Sequence, residues 1–105
     1  MQLLGKVLWP IVLATAFFQH PSAAAGDSTQ GAKLAMQWCS SCHLVSERQT
    51  NATTEAPPFA SIAQRSPDEL SALAGFLADP HPPMPDFSLT RQEIRDLLAY
   101  IASLK

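Results

Sequence analysis

Trp38-Cys39-Ser40-Ser41-Cys42-His43 holds both cysteines of the chain, two residues apart, with a histidine directly after the second. A disulfide at this spacing closes a very small ring that does little to constrain the unfolded chain, so a structural bridge explains the pair poorly. A redox-active thiol pair of the thioredoxin kind requires a βαβ setting, and no segment alternates apolar and polar residues as a strand does. Structural zinc sites use four ligands in most cases. Beyond residue 25 the sequence offers two cysteines and two histidines, with no second ligand cluster at the usual spacing.

What remains is the attachment pattern of a c-type haem. Two thiols add to the vinyl groups of the porphyrin, and the adjacent imidazole binds iron from one side. Two intervening residues at the end of a helix let both sulfurs reach one porphyrin edge and put the histidine under the iron. Cys39, Cys42 and His43 are thus the candidate haem-binding residues, and one covalent haem c is the implied cofactor.

Upstream of the motif, Ala32, Leu34, Ala35, Met36, Trp38 and Cys39 are spread around a helix rather than confined to one stripe, which suggests burial against more than one neighbour. Asp27, Ser28 or Thr29 caps this helix, which is predicted to begin near Gly31 and run directly into the cysteines. Further upstream, Lys6, the apolar stretch Val7 to Phe18 and the small residues Ala23-Ala24-Ala25 read as a secretory signal peptide over 1–25, cut before Gly26. The competing reading is a retained anchor. The apolar run is short of the ~18–20 residues that span a bilayer, and Pro10 interrupts it.

The domain is then 26–105, with no stable membrane insertion after cleavage. A core built from ~80 residues is marginal and needs help from something such as a large bound cofactor. Losing Lys6 and no acidic residue moves the formal charge of the 105-residue chain from −2 to −3. That balance argues against nucleic acid and favours partners with basic patches.

Downstream, 46–54 is polar and without apolar periodicity, which predicts an exposed loop. Ala56-Pro57-Pro58-Phe59 forces an extended return toward the core, with Phe59 and Ile62 as core contacts. Ser66-Pro67-Asp68-Glu69 carries a capping hydroxyl, a proline at the first helical position and a glutamate three residues after the cap; the helix it opens turns Leu70, Leu73, Phe76 and Leu77 inward. It stops by Asp79, because the prolines of Pro80-His81-Pro82-Pro83-Met84-Pro85 cannot sustain it. Thr90 and Glu93 repeat the capping pattern, and Ile94, Leu97, Leu98, Ile101 and Leu104 follow helical spacing. The fold class is all-α.

Gly31 eight residues before the first cysteine, the haem motif, Pro57-Pro58-Phe59, and a methionine in a proline-rich loop before a terminal helix ending Leu98-Ala99-Tyr100-Ile101 occur in the order of a known family. On these features 26–105 resembles a class I cytochrome c, in particular the short bacterial type of about 80 residues. The resemblance implies three to five helices around one haem, export to the periplasm, and a carrier of single electrons rather than an enzyme. It implies redox protein partners, and a chain that is a monomer or a subunit of a redox complex such as a dehydrogenase or oxidase. A haem enzyme or gas-binding protein with a displaceable sixth ligand is the rival reading. Met84 is implied as the second axial ligand, opposite His43. His81, three residues away, is a competitor, and Met36 lies on the helix of the covalent anchors, on the side of His43. The family also implies that a proline carbonyl, from Pro57 or Pro58 and by preference Pro57, supports His43. Gly31 is then the point where first and last helices cross beside Tyr100. The sequence departs from the family at Ala35, where many members place an aromatic against the last helix; Trp38 is the candidate to compensate.

Overall fold

The computed structural model describes residues 25–53, 55–80 and 82–105, together with the isolated positions 5 and 16. The signal-peptide expectation for 1–25 therefore lies almost wholly outside the described residues, and so does His81.

Helix α1 spans Ser28–Leu34. Asp27 is its cap, with Oδ1 accepting from the backbone N–H groups of Thr29 and Gln30 at 2.9 and 3.1 Å. These are donors that an uncapped first turn leaves unpaired. The helix begins three residues before Gly31, because the aspartate takes the capping role that the sequence left open among three residues. It runs without a break into a π-helical segment, Ala35–Cys39.

After the haem-motif turn, the chain returns through Pro57-Pro58 to α2, Phe59–Ala63, which the Phe59 N–H bonds to the Leu44 carbonyl at 2.9 Å. Helix α3, Pro67–Ala78, and helix α4, Arg91–Ala102, each open on the expected capping box, at Ser66 with Glu69 and at Thr90 with Glu93. Asp79 ends α3. Four α-helices and no strand occur among the described residues.

The dominant packing is α1 across α4. A Cβ placed on Gly31 would lie 1.9 Å from the Asp96 carbonyl oxygen and 2.8 Å from Tyr100 Cβ. Only a residue without a side chain lets the two backbones approach this closely, and Tyr100 stands beside the crossing as expected. Gly26 meets the Arg95 carbonyl in the same way. Asp96, buried, closes the junction: its Oδ1 accepts the Asp27 N–H and the Gln92 side-chain N–H, both at 2.8 Å.

The core gathers Ala35, Cys39, Val45, Phe59, Ile62, Ala63, Leu97 and Ile101, with Leu34, Leu70, Leu73, Leu77, Leu89, Tyr100 and Leu104 packed partly buried against it. Phe76 departs from the expected inward face of α3: it is 37% exposed, while Leu70, Leu73 and Leu77 reach the core. The apolar face of α3 is narrower than its composition suggests.

Candidate haem site

Cys39 is the last residue of the π-helical segment, and Cys42 follows in the turn, where the Cys42 and His43 N–H groups both donate to the Cys39 carbonyl, at 3.2 and 2.9 Å. Both thiols are free, Cys39 buried and Cys42 exposed. Burial pushes the Cys39 thiol up to about 11, with the neighbouring Cys42 adding to the rise. A nucleophilic redox thiol shows the opposite tendency, a depressed pKa. The buried Cys39 thus lacks the character of an activated redox thiol, and no strand among the described residues supplies a βαβ context.

His43 is held through its ring. Nδ1 lies 2.7 Å from the Pro57 carbonyl oxygen. A carbonyl only accepts, so this contact requires the proton on Nδ1 and leaves the lone pair on Nε2, the tautomer a metal ligand needs. Of the two prolines it is Pro57 that supplies the acceptor; Pro58 caps α2. The Phe59 ring packs against the imidazole at 5.3 Å between centroids, and Tyr100 stands 6.4 Å beyond Phe59. The Tyr100 hydroxyl donates to the Val45 carbonyl, which joins α4 to the strand of chain that leaves His43.

Two contacts to the motif come from the polar run that the sequence presents as a plain exposed loop. Thr53 Oγ1 donates to the Cys42 carbonyl at 3.1 Å. Gln49, half-buried between exposed Arg48 and Thr50, turns its carboxamide inward onto the motif backbone. Neither residue belongs to an apolar period or a capping pattern. No sequence signal marks them.

Met84 lies half-buried in the loop between α3 and α4. The Asp86 carboxylate accepts the Ser88 N–H at 2.8 Å, and Ser88 adopts a φ of 53°, which turns the chain toward Thr90. Phe87 in this loop pairs with Trp38 at 5.5 Å between ring centroids, tying the methionine loop to the residue just before Cys39. This corrects the role expected of Trp38. Its ring pairs with Phe87, is 42% exposed, and does not replace an aromatic at Ala35. Ala35 is itself fully buried in the cluster with Leu97 and Ile101. Met36 is 52% exposed on the attachment helix.

Over residues 28–105 the chain matches the Cytochrome c family. The chain belongs to the cytochrome c family. This cytochrome is 48% identical over 95 residues to a protein named cytochrome c-552 from Bradyrhizobium diazoefficiens, an alignment that covers 90% of each chain. No solved structure matches it. Family membership brings with it a covalently bound haem c and the role of a c-type electron carrier, and the geometry fits the group: two free thiols at one helix end, followed by an imidazole whose Nε2 is left open by the hydrogen bond on Nδ1. Among the described residues no helix is long and apolar enough to cross a membrane.

Proposed function

We propose that this cytochrome is an exported single-electron carrier whose haem is bonded through Cys39 and Cys42 and ligated by His43 and Met84. The observation that carries the ligand assignment is the Pro57 carbonyl on His43 Nδ1, 2.7 Å away, which aims Nε2 as a donor and leaves the imidazole little freedom to leave. Met84 is supported by its half-buried place in a proline-stiffened loop and by the Trp38–Phe87 contact that joins this loop to the attachment helix. A thioether held there loses little chain entropy on binding.

When bound, the haem supplies a one-electron couple, which histidine–methionine ligation places at comparatively high potential. The protein's part is to orient the imidazole, hold the methionine loop and limit movement between oxidation states. No substrate pocket is required. The partners are redox proteins with basic patches complementary to the acidic chain.

Two measurements test this reading. The ferric protein should show the weak absorption near ~695 nm that accompanies methionine on haem iron, and Met84→Ala should lose it while keeping covalent haem. Rapid carbon monoxide binding by the unmodified protein would instead favour a gas-binding or enzymatic role. For export, the mass of the mature protein should correspond to a chain beginning at Gly26.

A further inference from the structure

We propose that Gln49 is the positioning residue of the haem-attachment turn: its carboxamide fixes the backbone on both sides of Cys42 and thereby the seating of His43. The inference rests on the haem reading above and concerns a residue outside the attachment motif.

A helix that ends leaves its last carbonyls without intrahelical partners. Here the π-helical segment stops at Cys39, whose carbonyl takes the Cys42 and His43 N–H groups, and the carbonyls of Ser40 and His43 stand in the turn beyond it, outside the helical ladder. Gln49 Nε2 donates to both, at 2.6 Å from Ser40 O and 2.8 Å from His43 O, with Asn51 O at 2.9 Å. Its Oε1 accepts the Val45 N–H at 3.0 Å. Two amide hydrogens face three carbonyls, so one hydrogen is shared, and the oxygen is engaged as well.

The arrangement is selective for a primary amide of this length. A glutamate would turn a charged oxygen toward carbonyl oxygens, and an asparagine is one methylene short. The consequence for the ligand is a hold at both ends. Pro57 fixes the imidazole through Nδ1 and Gln49 fixes the peptide that carries it. Ser40 lies between the two cysteines, so the same amide also sets how the thiols are presented.

The experiment uses the haem-loaded protein as its cyanide adduct, in which cyanide occupies the iron position opposite His43 and the proximal side is read alone. In unmodified protein the hyperfine-shifted ring protons of His43 should give one set of NMR lines. In Gln49→Ala and Gln49→Glu a second set should appear with about a tenth of the intensity or more, the mark of a second seating within reach of the first. Leu97→Ala, which removes a fully buried core side chain on α4 and none of the hydrogen bonds within the turn, serves as the stability control and should keep a single set.

If the Gln49 variants lose covalent haem while Leu97→Ala loads normally, the proposal is supported by the same logic, since the turn also presents the thiols. It is overturned if the Gln49 variants give one His43 set at the unmodified shifts, or if Leu97→Ala changes ring lines or loading as much as they do. Absence of covalent haem from the unmodified protein would sink the haem reading instead.

Discussion

His43 shows how far single side chains govern this site. Its identity and the two cysteines are legible in the sequence because haem attachment dictates residue types and spacing, and Pro57 was legible, through the family pattern, as one of two adjacent carbonyl acceptors for the proximal ring. Gln49 and Thr53 were not: a polar side chain that folds back onto a backbone leaves no period. Trp38 was expected to stand in for the aromatic missing at Ala35, but a nearby aromatic in the sequence does not say which neighbour its ring meets, and here that neighbour is Phe87. At this scale Leu97→Ala should cost about 2–5 kcal/mol of unfolding free energy in a denaturant titration, as a fully buried leucine does when the void is not refilled. Tyr100→Phe removes the donor to the Val45 carbonyl and should cost ~1 kcal/mol by the same measurement, with the haem spectrum unchanged. A changed spectrum would mean that the hydroxyl reaches further than the packing indicates.

Among the elements, α3 and α4 announce themselves through capping boxes that the structure forms in full. Thr90→Ala should therefore lower stability by about 1 kcal/mol. The start of α1 was displaced by three residues because several polar residues compete for one cap, and only the geometry selects Asp27. The π-helical turn before the cysteines has no sequence marker at all; it is one extra residue per turn, absorbed where the helix meets the motif. Gly31 was legible through its place in the family pattern, and its reason is now a distance. Gly31→Ala must push α1 and α4 apart, because the new methyl would meet backbone 1.9 Å away rather than a flexible side chain. A loss of about 3 kcal/mol or more is expected. Wild-type stability in this variant would mean that the crossing is looser than described.

For the whole molecule, Asp96 makes the joining of α1 to α4 dependent on pH. The Asp27 N–H, then the Gln92 amide, hold its carboxyl below the ordinary aspartate range, with Arg95 a smaller contribution. A depressed carboxylate stabilises the fold above its unfolded pKa, ~3.9, and that contribution disappears as pH falls through the lower folded value. Unfolding curves of Asp96→Ala should accordingly fall below those of the unmodified protein at neutral pH and converge toward them in strong acid; a gap independent of pH would remove the carboxylate charge from the account. The same joint governs timing. A chain made from its N-terminus delivers Cys39 and Cys42 several seconds before the residues of α4 exist, at ~5–20 residues per second. Until α4 arrives, the backbone around Gly31 has nothing to seat against, so the thiols remain on an unfinished helix. Docking of α4 thus ends the interval in which Cys39 and Cys42 stand on an open chain.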